Sequence, residues 1–245
     1  MSLIGGLVVP MYNEASRGSL KDRLDLILKW SNGYKVVLVD DCSKDATRII
    51  VRQFIKQNKL DWKLICLKKN CGKGRAIIEG FKHLNTDFIG YMDADLSVSP
   101  KYLKDIYEFY DYYTRNCNKN ICIVGSRFSS GSFVVRRRTL VRRFVSTCAR
   151  VLLNSLFNLG VDDVQCGFKF FSKDIVKNNF KRLYPSRWLL DVELLKLTRK
   201  GNYHIQHLPV IWCNMENEST LKLHNALYNS FRDMCILLNW QSKLK

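Results

Sequence analysis

Short apolar runs alternate with longer amphipathic stretches through the first half of the chain. LVVP (7–10) precedes a stretch of helical spacing over Leu20–Trp30, and KVVLVD (35–40) precedes Ala46–Gln57. WKLICL (62–67) precedes Arg75–Leu84, and FIGYM (88–92) precedes Tyr102–Tyr113. Runs rich in Val, Ile and aromatic residues, separated by helices of about ten residues or more, predict parallel βαβ units whose strands are covered on both faces. A fifth run, ICIVGS (121–126), adds another strand. The pattern predicts an α/β fold: an open, mostly parallel sheet flanked by helices.

The second half reads differently. After the basic loop RFSSGSFVVRRR (127–138), the stretch 139–160 spaces Leu140, Val141, Phe144, Val145, Cys148, Val151, Leu152, Ser155 and Leu156 along one helical face, with Arg142, Arg143 and Arg150 beside it. A second amphipathic stretch places Leu223, Leu227, Phe231, Met234, Leu238 and Trp240 near the C-terminus. Each of these helices either packs against the sheet or lies in a membrane interface. No window reaches the roughly 18 consecutive apolar residues of a spanning helix, so membrane contact is expected to be peripheral. The N-terminal run is too short for a signal-peptide core and lacks a basic flank.

Composition narrows the partners. The 245 residues, 47% hydrophobic, suffice for one core, and no linker, repeat or low-complexity tract divides them, so one domain spanning 1–245 is expected. Forty basic against twenty-two acidic side chains give +18, which calls for nucleic acid, anionic lipid or phosphorylated substrates. Nine cysteines without CxxC pairs or His partners argue against a zinc site or a disulfide framework and suit the reducing cytosol, with Cys166 read as a small buried thiol.

In open α/β sheets, ligands bind beyond the carboxyl ends of the strands. The polar loops PMYNE, DDCSKD, KKNCGKG and DADLS fall at four successive strand ends and are expected to converge. Asp93 and Asp95, leaving the fourth strand, can share a hard cation with substrate phosphates. That cation would offset charge building on a departing diphosphate. Asp40 and Asp41 end the second strand, where either can accept hydrogen bonds from a base or ribose, while Asp45 is placed to cap a helix. Asn70, Gly72, Lys73 and Gly74 form a turn ahead of a helix, where backbone amides and one ammonium can face a phosphate or simply close an ordinary turn. The GxxxxGK[ST] spacing of a Walker loop is absent.

VVPMYNE, VDDCSKD, NCGKGRA and DADLS, in that order, resemble the inverting glycosyltransferases of family 2, which have the GT-A (Rossmann-like) fold. The resemblance continues through GSRF (125–128), RRFVSTCA (142–149), DVQCGFKFFSKD (163–174) and RWLLDVELL (187–195). These later blocks look most like the family's dolichyl-phosphate β-glucosyltransferase branch and next most like its mannose synthase branch. The resemblance implies a nucleotide-sugar half over 1–126, and an acceptor half with membrane-facing helices over 127–245. It implies that Pro10, Tyr12, Asn13, Glu14 and Asp40 hold the nucleotide and that Asp41 and Lys73 support the base and diphosphate region. Asp93, Ala94 and Asp95 would hold the nucleotide sugar, with Asp93 and Asp95 binding Mg²⁺ or Mn²⁺. Arg127, Arg142 and Ser146 match positions that bind an acceptor phosphate. Two departures stand out: Ser97 occupies the place of a metal-binding Gln, and Thr220 that of a Lys in an SKL segment, which leaves Lys222 as the nearby cation.

The implied chemistry is a single displacement at the anomeric carbon. An alcohol acceptor needs a positioned base, whereas a phosphate monoester, largely dianionic at neutral pH, does not. A phosphate acceptor instead needs cations, and arginine suits the task by its bidentate geometry. Arg127, Arg136, Arg137, Arg138, Arg142, Arg143 and Arg150 offer them. Asp95, Arg127 and Asp191 are the candidate catalytic residues; Asp191 and Glu193 are the candidates for a base, and the four histidines have no ligand-like spacing. The expected reaction moves a hexose, glucose favoured, from UDP-glucose to a polyprenyl or dolichyl phosphate on the cytosolic face of a membrane, with an anionic lipid surface or a membrane-anchoring subunit as partner. A family member acting on a glycan or protein acceptor is the alternative. A nucleic-acid-binding module is disfavoured, because the acidic loops would repel a phosphate backbone.

Overall fold

The computed structural model describes residues 4–116, 120–135, 147, 151–177, 183, 189–201, 203–213 and 232. The first half alternates β1 (Gly5–Met11), α1 (Leu20–Trp30), β2 (Tyr34–Asp40), α2 (Thr47–Gln57), β3 (Lys63–Cys66), α3 (Lys73–Phe81), β4 (Phe88–Met92) and α4 (Tyr102–Asn116). There follow β5 (Ile121–Ser126), β6 (Phe133–Val134), a helix α5 over 151–157, β7 (Phe168–Ser172), α6 (Lys173–Lys177), α7 (Leu190–Lys200), β8 (His204–Pro209) and β9 (Ile211–Trp212).

Among the described residues, the strands form a seven-stranded sheet in the order β3-β2-β1-β4-β7-β5-β8 and a two-stranded ribbon of β6 and β9. The chain builds outward from β1 through β2 to β3, then crosses back to place β4 on the other side of β1. That reversal is where such sheets open a ligand crevice. The registers show the opening directly. β1 pairs with β2 as far as Met11↔Asp40, but with β4 only as far as Val8↔Tyr91. Met11 turns its carbonyl to the β2 side, where Asp41 N–H donates to it at 2.8 Å. Pro10, one residue earlier, therefore faces β4 beyond the last pair, where its missing N–H interrupts no ladder bond.

Successive strand residues alternate between two cores. Leu7, Val9 and Met11 join Leu24, Ile27, Phe54, Leu103 and Ile106 on the α1, α2 and α4 side. Val8 joins Ile77, Phe81, Phe157, Ile175 and Leu194 on the other. α1 begins where the Ser19 hydroxyl accepts from Asp22 N–H, and it buries Leu20, Arg23, Leu24 and Ile27, one helical face.

Several expectations are corrected. β7 was not expected as a strand; it runs antiparallel between β4 and β5. Its apolar run is interrupted by Lys169, which is wholly buried and satisfied locally. The third helix begins at Lys73 rather than Arg75, because Gly72, at φ 91°, supplies its N-cap. The helix that carries Asp191 and Glu193 starts at Leu190. In α5, Leu153 and Phe157 enter the core, whereas the stripe residues Val151, Leu152 and Leu156 are exposed. The described end of the 139–160 stripe therefore does not pack on the sheet. Its earlier part and the C-terminal amphipathic stretch lie outside the described residues, as do Arg136, Arg137, Arg138, Arg142, Arg143, Ser146, Arg150, Thr220 and Lys222. No helix among the described residues is long and apolar enough to cross a membrane.

Candidate active site at the β1–β4 crevice

The loop after β4 carries Asp93 and Asp95. Leu96, at φ 54°, turns the chain sharply, and Ser97 N–H donates to Asp95 Oδ1 at 2.9 Å. Ser97 thus serves the motif by bonding Asp95 rather than by extending a long side chain to a cation. Burial, then the neighbouring Asp93 charge, pushes the Asp95 carboxyl above its usual range, while Ser97 and Lys73 oppose the shift. Two carboxylates that repel one another and sit beside a crevice are a place where positive charge is stabilised. Lys73, the first residue of α3, meets that need with its ammonium 2.6 Å from Asp93 Oδ1. Burial alone would draw Lys73 down, but Asp93, Asp191 and Asp95 outweigh it and hold the ammonium above its ordinary pKa. Gly167 supports the same carboxylate from β7's approach: its carbonyl accepts from Asp93 N–H at 3.0 Å, and any Cβ there would overlap the Asp93 side chain.

The other loops are braced against one another. Asp41 does more than point at a base: its two oxygens accept from Cys71 N–H and Gly72 N–H, each at 2.7 Å. Of the two uses left open for that turn, these two N–H groups serve its closure. Asp40 is wholly buried and paired with Arg48, and its carboxylate also accepts from Ser43 N–H. Asn13, at φ 52°, accepts from Lys44 N–H through its side-chain oxygen and donates its own N–H to Ser43. Burial would raise the Asp45 carboxyl, but bonds accepted from Thr47 and from Ser16 N–H outweigh it and hold the group low; the N-cap of α2 is the next residue, Ala46, so Asp45 braces the loop rather than capping the helix. Tyr12 is half-buried directly after β1.

Sequence reasoning overlooked Arg23. From the buried face of α1, it binds Glu14 Oε2 at 2.8 Å, the Glu14 carbonyl at 2.6 Å and the Ala94 carbonyl at 3.3 Å. One guanidinium therefore ties the loop after β1 to the acidic loop after β4. Burial raises the Glu14 carboxyl while Arg17 and Arg23 restrain it. The available signal was an arginine at a position whose helical neighbours Leu20, Leu24 and Ile27 are all core residues.

Lys169, Tyr91 and Asp163 were overlooked as well. Lys169 Nζ lies 2.8 Å from Asp191 Oδ1, which also accepts from the Tyr91 hydroxyl. Burial pushes Asp191 up to about 7, against Lys73, and pulls Lys169 down to about 8. Asp191 thus joins Lys73 and Asp93 in one cluster, as its candidacy required, while Glu193 is buried in the same helix. Arg127 is held by Asp163, whose carboxylate accepts from Nε at 2.7 Å, from Nη2 at 2.8 Å and from the backbone N–H at 3.0 Å. This leaves Nη1 as the guanidinium nitrogen without a bond to Asp163. The Cys166 thiol is pushed up to about 12 by burial, which makes it an inert core group.

The fold, with this crevice of acidic residues at its β4 edge and a glycine turn opposite, is that of a glycosyltransferase. A model of glycosyl transferase family 2 matches residues 7–180, and the chain belongs to that family. It is 30% identical over 221 residues to a dolichyl-phosphate beta-glucosyltransferase of Dictyostelium discoideum, covering 86% of this chain and 66% of that protein. A dolichyl-phosphate beta-glucosyltransferase of Trichomonas vaginalis is 31% identical over 230 residues, with coverages of 90% and 69%. The chain spans about two thirds of the length of these relatives.

Solved structures share the GT-A fold at lower identity. Glucosyl-3-phosphoglycerate synthase from Mycobacterium tuberculosis, in complex with Mn²⁺, UDP and glucosyl-3-phosphoglycerate, superposes with a TM-score of 0.68 at 16% identity, covering 97% of this chain and 80% of that one. S. aureus TarS 1–349 in complex with UDP-GlcNAc gives 0.61 at 20% identity, covering 90% and 62%.

Proposed function

We propose that the protein transfers a hexose, with glucose and a UDP donor favoured, to a polyprenyl or dolichyl phosphate at the cytosolic surface of a membrane. The observation that carries the reading is the Lys73–Asp93–Asp95 cluster at the mouth of the β1–β4 crevice, with Arg127 held at the end of β5. The likeness to dolichyl-phosphate glucosyltransferases supports the acceptor class.

Asp93 and Asp95 fit a divalent cation of the kind that shares few carboxylates with substrate phosphates. Burial first and the Asp93 charge second raise Asp95, and a bound cation would offset both. When bound, Mg²⁺ or Mn²⁺ would supply charge stabilisation to the leaving nucleoside diphosphate. Lys73 would contribute its ammonium to the same phosphates, and the braced loops of Asn13, Asp40 and Asp41 would seat the nucleoside. Arg127, through Nη1, would orient the acceptor phosphate; Arg142 and Ser146, outside the described residues, are proposed as further contacts to it on the sequence resemblance alone. An acceptor phosphate oxygen attacks the anomeric carbon, the bond to the diphosphate oxygen breaks, and its electron pair departs with the nucleotide. A dianionic phosphate needs no base for that attack, so Asp191 acts by fixing the charge around Lys73.

A donor panel tests the reading: UDP-glucose, UDP-GlcNAc and GDP-mannose are each incubated with Mn²⁺ and a polyprenyl phosphate, and the lipid product is scored. Glucosyl lipid phosphate formed from UDP-glucose is the expected outcome. Donor consumption only with a glycan or protein acceptor would move the chain to another branch of the family, and activity lost on chelation and restored separately by added Mg²⁺ or Mn²⁺ tells which cation serves.

A further inference from the structure

The β6–β9 ribbon is apolar on both faces. β6 and β9 pair in parallel, with Phe133 opposite Ile211 and Val134 opposite Trp212. Side chains alternate along a strand, so Val134 and Trp212 share the inner face, where Trp212 is buried and Val134 packs on the core. Phe133, Val135 and Ile211 share the outer face, at 63%, 57% and 43% exposure. Parallel strands ordinarily have both faces covered, and a cluster of large apolar side chains on an uncovered face marks an interaction surface.

The ribbon is firmly placed and close to the proposed chemistry. Val135 N–H donates to the Trp212 carbonyl at 2.9 Å, and Ile211 N–H donates to the Tyr102 hydroxyl at 2.8 Å. Cys213 N–H donates to the carbonyl of Ser97, two residues beyond Asp95, at 2.9 Å. Trp212 and Phe128 lie beside the Arg127 guanidinium, at 5.5 and 5.7 Å from their ring centres. The outer face thus belongs to the same rigid piece that holds Arg127, and in sequence it runs directly into Arg136, Arg137 and Arg138. Apolar side chains bordered by arginines match the boundary between acyl chains and anionic headgroups.

We propose that the outer face of this ribbon, Phe133, Val135 and Ile211, inserts into the surface of an anionic bilayer and so sets the depth at which Arg127 meets a lipid-borne phosphate. The proposal rests on the lipid-phosphate reading above and names the contact through which that acceptor is reached. The geometry explains why a surface that looks unfinished in water sits beside the phosphate-binding arginine: the membrane completes it.

The test uses the full chain with vesicles of phosphatidylcholine containing a minority of phosphatidylserine. Phe133→Ser and Ile211→Ser are each expected to lower vesicle partition by roughly tenfold, as loss of one large apolar contact predicts. Both are expected to leave thermal unfolding and transfer to a short-chain, water-soluble polyprenyl phosphate unchanged. In a separate variant, Phe133→Trp, the emission in excess of that from the five native tryptophans, taken as the difference from wild type, should shift to the blue on vesicle addition and be quenched by lipids brominated on their acyl chains. Vesicle binding equal in wild type and both serine variants overturns the proposal, as does emission at position 133 that vesicles leave unchanged. A wild-type dimer dissociated by Phe133→Ser, without vesicle binding, overturns it in favour of contact between copies. If no lipid phosphate is ever glycosylated while the tryptophan at 133 still inserts, the acceptor reading fails and the membrane contact stands.

Discussion

Replacing Asp163 by alanine strips a buried guanidinium of its partner. Asp163 is 1% exposed and accepts three hydrogen bonds from Arg127, whose side chain is 16% exposed. Removing one partner of such a pair costs about 3–5 kcal/mol, because the remaining charge stays desolvated. Against a total stability of roughly 5–15 kcal/mol, that loss is large, and it corresponds to a fall in Tm of about 10 °C for a chain of this length. Urea unfolding followed by circular dichroism measures it. The bonds from Arg127 outweigh burial and hold the Asp163 carboxyl low. Its contribution is therefore fully present above the unfolded value of about 4 and is lost only as pH falls through the lower folded value. The gap between wild type and variant should accordingly be constant from pH 5 to pH 8 and close in stronger acid, where both pKa values have been passed. Adding Arg127→Met to Asp163→Ala should recover most of the stability, since an apolar pair of similar volume leaves no stranded charge. A single variant destabilised by less than about 1 kcal/mol, or a double variant no more stable than the single one, would refute the account.

Three other perturbations probe the crevice. Gly167→Ala drives a methyl into the Asp93 carboxylate and should weaken Mn²⁺-dependent UDP binding, read by calorimetry, more than it lowers Tm; an intact titration would remove Gly167 from the site. Asp41→Ala frees the N–H groups of Cys71 and Gly72, and with hydrogen bonds to a charged group worth about 1.5–3 kcal/mol each, a loss of at least 2 kcal/mol is expected, checked by urea midpoints. Lys169→Met takes the cation from Asp191, whose carboxyl, already near 7 through burial, must rise further. The folded state then holds a proton that the unfolded chain has released, so stability falls with rising pH by up to about 1.4 kcal/mol per unit. The deficit against wild type should widen from pH 6 to pH 8, and equal deficits at the two pH values would contradict the pairing.

The parts of the molecule legible in the sequence are those set by local pattern. β1, β2, β4 and β5 announce themselves as uninterrupted apolar runs, α1 by its spacing, and the acidic residues by their place at strand ends. β7 was hidden because Lys169 sits where a central strand should be apolar, and its charged partner Asp191, which with the Cys166 carbonyl makes that lysine tolerable, lies far along the chain. The same holds for Arg127 and Asp163: an arginine at a strand end suggests phosphate, yet the partner that fixes it comes from a later loop. Asp41 shows the limit from the other side. Its position suggested ligand binding; what could not be read there is that its oxygens also accept from the amides of the next loop, a use visible only once β2 and β3 lie side by side. Arg23 looked like an ordinary helix residue until its guanidinium was seen to span two loops.

That span has a consequence for how a donor enters. Because a single side chain in α1 grips both lips of the cleft, their separation is established before any sugar nucleotide arrives. Under the proposed function, a donor would meet two lips whose spacing the protein has already fixed, and less ordering would remain for binding to supply.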